Sequence, residues 1–338
     1  MTKLLFVGDP GIDDAVAILC AARWCDLVGI VAGHGNAPAE VTARNALALV
    51  ELAGLDVPVA RGCPRPILGP SPVSGAALHG GSGIEGAALP APTRPFDSRH
   101  GIDLLIDLAR SHPGELVVAV TGAHTDLALA LRLEPRLVSW LRAVTVMGGT
   151  AGPGNARPMA CTNILSDSEA AAIVAGSGLP LFWIGYELTR SVLLGEAELA
   201  RLEAGGEVAR ALAPALRHYR DRYRRIYGLD GAPVHDALAL LPFARPERVP
   251  AGIVRHEPAT LEVVCDHGPA RGMTIVDRRG IRAPEELPPD RRPTRPNVAY
   301  AVEVDRAAVV EAVVEALLSY PRRGLRAPRT GCPCPGPW

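Results

Sequence analysis

Three carboxylates crowd a single turn near the start of the chain. Asp9, Asp13 and Asp14 follow the apolar run 4–7, and a Pro-Gly pair separates the first acid from the other two. The apolar run predicts a buried strand, and the apolar segment 15–22 predicts a helix after the turn. One acid is enough to cap the positive end of a helix, and three acids repel each other unless a cation holds them. Such a density of hard oxygen atoms suits Ca²⁺ or Mg²⁺ better than zinc, and an ordinary capped helix with a solvated acid is the alternative.

The composition is that of a globular protein. The chain has 338 residues, of which 48% are hydrophobic, so it is long enough for one large α/β domain or two small ones with a substantial core. A net charge of −1 argues against nucleic-acid and anionic-membrane partners. The seven cysteines are scattered without the pair-of-pairs spacing of a zinc site, and we expect most to be reduced. Without a signal peptide or an apolar stretch of membrane-spanning length, the sequence predicts a soluble, cytoplasmic protein.

Short apolar runs alternate with amphipathic stretches along the first half of the chain. This alternation predicts an α/β fold with an open, mostly parallel, doubly wound (Rossmann-like) sheet. The predicted strands are 3–8, 27–32, 57–60, 116–121, 143–147 and 181–184. The predicted helices between them are 39–55, 101–111, 126–131 and 167–175.

Polar residues follow several of the predicted strands, at positions 8–9, 33–36, 121–122 and 148–150. In open parallel sheets, ligands bind beyond the carboxyl ends of the strands, so we expect these residues to converge on one crevice. The segment 64–95 is rich in Pro, Gly and Ser and contains His79. A structureless span of that length is usually a lid or a binding loop.

The second half of the chain adds a long predicted helix over 207–227 and a second helix that begins after His235 and Asp236. Residues 253–304 look β-rich, and 306–320 predict a terminal helix. Residues 321–338, rich in Arg, Pro and Gly, predict a disordered tail. We therefore expect one domain over residues 1–320.

Six short motifs follow one another along the chain: Asp9-x₃-Asp13-Asp14, Gly35-Asn36, His79-Gly80, Thr121-Gly122, Gly154-Asn155 with Asn163, and His235-Asp236. Their order and content resemble the inosine–uridine preferring nucleoside hydrolase family, which comprises calcium-dependent N-ribohydrolases. The resemblance extends from about residue 3 to residue 318. It implies hydrolysis of the N-glycosidic bond of a nucleoside, a role in purine and pyrimidine salvage, and a homodimer or homotetramer.

The resemblance also implies a metal centre. Asp9, Asp14, Asp236 and the backbone carbonyl of Thr121 would form the protein part of a Ca²⁺ shell. Three carboxylates, a carbonyl, a water and two sugar hydroxyls give a coordination number in the usual calcium range. The Ca²⁺ would orient the attacking water, and Asp9 would act as its general base.

Further roles follow from the same resemblance. His235 would lie over the nucleobase and protonate the leaving group, and its change of charge would fall near physiological pH. The remaining substrate-binding candidates are Asp13, Asn36, His79, Asn155, Cys161, Asn163, Tyr223 and Tyr227. Plainer structural roles compete with several of these: a helix cap for Asp236, a turn for Asn36, a strand end for Thr121, an exposed loop for His79 and core packing for the tyrosines.

Three positions depart from the family pattern. Val7 replaces an acid that lies outside the metal shell, so its loss affects the organisation of the site more than its existence. Asp126 stands where the family has Asn. Cys161 stands where the family has a Glu that accepts hydrogen bonds from ribose hydroxyls, and a thiol accepts poorly. Weaker ribose binding, adaptation to a modified nucleoside or altered sugar, and loss of most activity would each account for Cys161.

Two other classes of function remain open at this stage. An aspartate-based phosphatase also places an acidic turn after its first strand, but it needs a second Asp two residues after the first, where this chain has Gly11. A non-catalytic nucleoside-binding homologue is the other alternative.

Overall fold

The computed structural model describes residues 1–71, 73–292 and 294–321. Its strands agree closely with the predicted ones. Those that match predicted strands lie within two residues of the expected bounds. The strands are β1 (Lys3–Gly8), β2 (Asp26–Ala32), β3 (Val59–Arg61), β4 (Leu116–Val120), β5 (Ala143–Met147), β6 (Leu181–Ile184), β7 (Leu193–Leu194), β8 (Ala232–Pro233), β9 (Val254–Val263), β10 (Thr274–Asp277) and β11 (Val298–Val304).

Nine of the described strands form one sheet in the order β10-β9-β11-β6-β5-β4-β1-β2-β3. Strands β1 to β6 and β11 pair in parallel, whereas β9 pairs antiparallel with both β10 and β11. The β-rich segment predicted over 253–304 is therefore confirmed as an antiparallel edge on an otherwise parallel sheet.

Helices cover both faces of the sheet. The α-helices are α1 (Ile12–Trp24), α2 (Ala39–Leu52), α3 (Ala76–His79), α4 (Gly101–Ser111), α5 (Thr125–Leu133), α6 (Leu137–Trp140), α7 (Thr162–Ser166), α8 (Ser168–Ala175), α9 (Tyr186–Thr189), α10 (Glu196–Glu203), α11 (Glu207–Tyr227) and α12 (Arg306–Leu318). Short 3-10 helices lie at Asp236–Phe243, Pro284–Glu286 and Pro289–Arg291.

Alternate residues of β1 belong to different hydrophobic clusters. Leu4 and Phe6 pack with α1, α2 and α11, while Leu5 and Val7 pack with α4, α5 and α8. Successive side chains of a strand point to opposite faces, so the central strands are covered on both sides. This arrangement confirms the predicted doubly wound α/β fold.

The helix boundaries differ from the predictions in a few places. The predicted helix over 39–55 stops at Leu52, and Gly54 then takes a left-handed conformation with φ of +67°. The helix expected after His235 is a 3-10 helix that contains Pro242, which lacks the N–H needed for a regular α-helical turn. The segment expected to be structureless contains the one-turn helix α3. Most of the tail expected to be disordered, residues 322–338, lies outside the described residues.

In the described part of the chain, no helix is long and apolar enough to cross a membrane.

Candidate active site

Polar residues expected at three of the strand ends converge. Strands β5, β4, β1 and β2 are neighbours in the sheet, and Asp9, Asn36 and Thr121 come together at its carboxyl edge after β1, β2 and β4. Residues 148–150, which follow β5, are not among those that line the crevice. A cavity of about 280 Å³ opens there, a little below the usual range of about 300–1,000 Å³ for small-molecule sites. The sequence-predicted residues that line it are Asp13, Asn36, His79, Thr121, Asn155, Cys161, Asn163, Tyr223, Tyr227, His235 and Asp236. Asp9 and Asp14 are not among the lining residues and are buried.

Four buried aspartates form the acidic part of the site. Each is at most 5% exposed. Asp13, Asp14 and Asp236 each offer an oxygen atom, and these three atoms lie within 4.8 Å of one another. This group of three differs from the predicted metal shell, which contained Asp9. Asp13, which was predicted to bind the ribose, takes the place of Asp9 in the group.

Two glycines leave room for the Asp9 carboxylate. A Cβ atom on Gly35 would lie 1.8 Å from Asp9 Oδ2, and one on Gly122 would lie 2.4 Å from Asp9 Oδ1. Only glycine fits at these two positions while Asp9 stays where it is, and Gly35 also has a φ of +154° that other residues rarely adopt. Close packing against Asp9 therefore explains the glycines of the pairs Gly35-Asn36 and Thr121-Gly122, which follow β2 and β4.

Asp14 is held by three donors. The backbone N–H of Gly11 and the side-chain amide of Asn36 both donate to Oδ2 at 3.0 Å, and the Thr121 hydroxyl donates to Oδ1 at 3.0 Å. The first of these bonds caps α1, so the capped-helix interpretation is correct for Asp14 and does not compete with a role in the acidic cluster. Asn36 also donates its backbone N–H to Asp9 Oδ2 at 2.6 Å and so links two of the acids.

Two of the other acids each have a buried oxygen atom without a partner. Asp9 Oδ1 and Asp13 Oδ1 are buried without a hydrogen-bond partner among the described residues. Burial first, and then the charge of Asp14, raise the pKa of Asp9 well above its usual range and the pKa of Asp13 to about 8. Burial and the other acids likewise raise the pKa of Asp236. A divalent cation would supply both the missing partner and the missing charge, so these residues fit a metal site.

Two asparagines shape the wall of the cavity. The Asn163 amide nitrogen donates to the backbone carbonyls of Thr121, at 2.5 Å, and Met147, at 3.0 Å. The Asn155 amide oxygen accepts from both the N–H and the hydroxyl of Thr162, at 2.9 and 3.2 Å. Within residues 1–71, 73–292 and 294–321, these contacts leave the amide oxygen of Asn163 and the amide nitrogen of Asn155 available to a ligand. Thr162 was not among the predicted site residues.

His235 is fixed by two hydroxyls. Its Nδ1 lies 2.8 Å from Thr189 Oγ1 and its Nε2 lies 2.9 Å from the Tyr223 hydroxyl. Burial, followed by His79 and Arg190, lowers the pKa of His235 to about 3. The expectation that His235 changes charge near physiological pH is therefore wrong for the ligand-free site, because a buried imidazolium would lose its hydration. Thr189 was also missed, since nothing in its local sequence marks it.

His79 is buried and does not sit idle in an exposed loop. Helix α3 places it against α1, where its Nδ1 accepts the backbone N–H of Ile12 at 3.1 Å. In the neutral ring the proton is therefore on Nε2. Burial, and then His218, lower its pKa to about 3.

Three tyrosines lie at successive helical turns of α11. The ring centroids of Tyr219 and Tyr223 are 4.8 Å apart, and those of Tyr223 and Tyr227 are 5.2 Å apart. Tyr219 and Tyr223 are buried, and the Tyr227 hydroxyl donates to the Asn155 carbonyl at 3.2 Å. Tyr219 was missing from the predicted set, although the four-residue spacing places it on the same face.

The three departures from the family pattern occupy different places. Val7 is buried in the sheet, and its carbonyl accepts the backbone N–H of Thr121 at 2.9 Å. Cys161 lines the cavity at 1% exposure, and burial raises the pKa of its thiol to about 11, so it is neutral at physiological pH. Asp126 is not among the cavity-lining residues, and its carboxylate accepts the backbone N–H of Cys63.

Comparisons with known proteins find relatives over most of the chain. The family model described as inosine-uridine preferring nucleoside hydrolase matches residues 4–311. A pyrimidine-specific ribonucleoside hydrolase of Escherichia coli, RihB, is 33% identical over 282 residues, covering 82% of this chain and 88% of that protein. A solved plant nucleoside hydrolase has a TM-score of 0.86 at 26% identity, covering 94% of this chain and 99% of that one. A purine-preferring ribonucleoside hydrolase from Gardnerella vaginalis has a TM-score of 0.84 at 28% identity, covering 94% and 98%.

These matches extend over nearly the whole chain and decide against the phosphatase alternative. The two solved nucleoside hydrolases also share the fold described above. The chain belongs to the inosine-uridine preferring nucleoside hydrolase family and is a nucleoside hydrolase.

Proposed function

We propose that this protein hydrolyses the N-glycosidic bond of a ribonucleoside, with Ca²⁺ held by Asp9, Asp14, Asp236 and the Thr121 carbonyl. One observation carries the proposal: four buried carboxylates, two of them with an unpartnered oxygen atom, lie at or just behind the wall of a nucleoside-sized cavity. Hard oxygen donors of this kind favour Ca²⁺ over softer metals. Bound there, the ion would hold sugar hydroxyls and acidify a water molecule.

Asp9 is the proposed general base. Its Oδ2 is occupied by the short hydrogen bond from the Asn36 backbone, which fixes the orientation of the carboxylate. Its Oδ1 has no partner in the described structure and is free to accept a proton from the attacking water. A positioned base typically contributes roughly 10²–10⁴-fold to a rate.

His235 is the proposed general acid for the leaving base. Thr189 donates its own hydroxyl to the Tyr186 carbonyl at 3.4 Å, so it accepts the Nδ1 proton of His235. In this tautomer Nε2 carries no proton and accepts from the Tyr223 hydroxyl, so Nε2 must first take up a proton, from Tyr223 or from water, before the imidazolium passes it to the nucleobase. Negative charge builds on the base as the bond breaks, and this charge raises the pKa of the imidazole at the moment when a proton is needed.

The remaining residues bind the substrate. Asp13, Asn36, Asn155 and Asn163 contact the ribose, and His79, Tyr223 and Tyr227 contact the base. Relatives act on different bases, since the RihB relative is named pyrimidine-specific and the Gardnerella relative purine-preferring. We therefore propose the ribonucleoside as the substrate class and leave the base to the assay. We further expect a cytoplasmic homodimer or homotetramer, which light scattering would test.

The decisive test is sugar release from a panel of purine, pyrimidine and modified nucleosides in the presence of Ca²⁺. We expect free base and free sugar in equal amounts, and loss of both in the Asp9→Asn variant. The His267→Ala variant, altered at an exposed position, is the control. No release from any member of the panel, with Ca²⁺ bound, would contradict the proposal.

Cys161 supports a second candidate, a hydrolase adapted to a modified nucleoside or an altered sugar. A buried neutral thiol fills space without accepting strong hydrogen bonds. Higher kcat/KM on a modified nucleoside than on inosine or uridine would favour this candidate. Nucleoside-induced thermal stabilisation without product would instead indicate a non-catalytic binding protein.

A further inference from the structure

A second group of metal-ligating side chains lies away from the cavity. Cys63, His100 and Asp126 each offer one ligand atom, and the three atoms lie within 4.8 Å of one another. A thiolate, an imidazole and a carboxylate are all common zinc ligands, and catalytic or open zinc sites use three protein ligands and a water. We propose that Cys63, His100 and Asp126 bind one zinc ion, with water as the fourth ligand.

The carboxylate of this group is held in place. The Cys63 backbone N–H donates to both oxygens of Asp126, at 2.9 and 3.2 Å. Cβ atoms on Gly33 and Gly62 would lie 2.9 and 2.6 Å from Asp126 Oδ2, so the two glycines leave the room that the carboxylate occupies. Tetrahedral zinc with bonds of about 2.0–2.3 Å needs its ligand atoms about 3.3–3.8 Å apart. Movements of about 1 Å or less therefore suffice to close the site.

The two other ligands differ in exposure. The Cys63 residue is buried, whereas His100 is exposed and can reach an ion that arrives from solvent. His100 is also the N-cap of α4, where its Nδ1 accepts the backbone N–H of Ile102 at 3.2 Å. Metal binding through Nε2 would keep this cap hydrogen bond, and metal binding through Nδ1 would replace it.

The position of the group suggests what zinc would do. Cys63 and His100 stand at the two ends of the segment 64–99, and Asp126 is in the first turn of α5. That segment carries α3 and His79, which line the active-site cavity. An ion shared by the three residues would close the segment at its base and tie it to α5. It also gives a role to Asp126, where the family pattern has a residue without charge.

No sequence motif predicts such a site, because the ligands are far apart in the chain and lack the short spacings of zinc motifs. The test is metal binding by the full chain with Ca²⁺ present to fill the acidic cluster. We expect one zinc per chain by elemental analysis. We also expect Co²⁺ substitution to give a thiolate-to-cobalt charge-transfer band, which an all-oxygen site cannot produce.

Three variants test the ligands one at a time. Cys63→Ser, His100→Asn and Asp126→Asn should each weaken zinc binding by more than about a hundredfold, since even partners outside the shell contribute about 10- to 100-fold. Asn is itself a good N-cap, so His100→Asn keeps the start of α4. Cys265→Ser is the matched control, because that thiol bonds the Ser168 carbonyl elsewhere in the fold and should leave zinc binding unchanged.

Stoichiometric zinc that persists in Cys63→Ser would overturn the proposal, as would a wild-type cobalt complex without the charge-transfer band. If a variant fails to fold by circular dichroism, X-ray absorption of the wild-type zinc protein decides the point. One sulfur ligand is expected there, and a shell without sulfur would refute the site. Sugar release is measured separately, so this proposal can fail while the proposed hydrolase function stands.

Discussion

Replacing His235 by Ala separates leaving-group protonation from every other part of the proposed reaction. The variant removes an imidazole that is hydrogen-bonded to both Thr189 and Tyr223. It leaves the four aspartates and the residues proposed to contact the ribose unaltered. We expect kcat for a natural nucleoside to fall by roughly 10²–10⁴-fold, the usual contribution of a general acid.

The proposed role requires His235 to act as an acid only during the reaction. With a pKa of about 3, His235 is almost entirely neutral at pH 7. Protonating it in the resting site costs about 5 kcal/mol, at about 1.4 kcal/mol for each pKa unit. A base anion about 4 Å away returns about 4 kcal/mol at an effective dielectric constant of about 20. The developing charge on the leaving group therefore supplies most of the cost.

The assay compares two leaving groups. The leaving group of a nitrophenyl riboside is a stable phenolate that needs no proton. His235→Ala should therefore lower kcat for this substrate by less than about tenfold, well below the usual contribution of a general acid. Tyr223→Phe keeps the ring and removes the hydroxyl partner of Nε2, so it should reproduce part of the loss on natural nucleosides only. His267→Ala is the surface control. Equal losses on both substrates would refute the reasoning and leave His235 with a binding or structural role.

Three further outcomes are expected. Asp14→Ala should abolish stoichiometric Ca²⁺ in elemental analysis, because it removes the carboxylate held by Gly11, Asn36 and Thr121; full calcium in this variant would contradict the metal assignment. In chelator, the melting temperature should fall as pH rises from about 6.5 to 8, since the pKa of Asp13 is raised to about 8 and the stability it contributes is lost as pH rises through that value. The lowered pKa of His79 and His235 cannot cause this fall, because the stability linked to it is complete above about pH 6.5. Saturating Ca²⁺ should abolish the fall in melting temperature, and a fall that persists in Ca²⁺ would exclude the acidic cluster as its cause. Cys161→Glu should lower kcat/KM on the preferred substrate, because it adds a carboxylate beside buried acids, whereas a gain of about tenfold or more on inosine and uridine would indicate an ordinary ribose pocket.

Local patterns in the sequence were enough for the architecture. The apolar runs that became β1, β5 and β6 were predicted with their observed bounds, and so were α4 and α11. Buried parallel strands and long amphipathic helices have strong periodicities, so their positions depend little on distant contacts. The acidic turn and the polar strand ends could be placed on one edge of the sheet for the same reason.

Features that depend on remote contacts could not be predicted. Thr189 reaches His235 from a short helix with no motif of its own, and Thr162 reaches Asn155 in the same way. The lowered pKa of His235 depends on its complete burial, which neighbouring residues in the sequence do not indicate. The grouping of Cys63 with His100 and Asp126 likewise exists only once α4 and α5 are packed.

The acidic cluster links stability to function in this enzyme. Burying four carboxylates together is unfavourable for the folded protein alone, as the raised pKa of Asp13, Asp9 and Asp236 indicates. In the proposed metal site, the same under-satisfied oxygens would bind a divalent cation, and the unfavourable free energy of burying them would be offset by ion binding. Glycines at positions 35 and 122 preserve this arrangement, because any larger side chain there would displace Asp9. If the proposed ion binds here, the metal-free protein should therefore be less stable than the metal-bound protein, and the ion should hold the carboxylates in one arrangement.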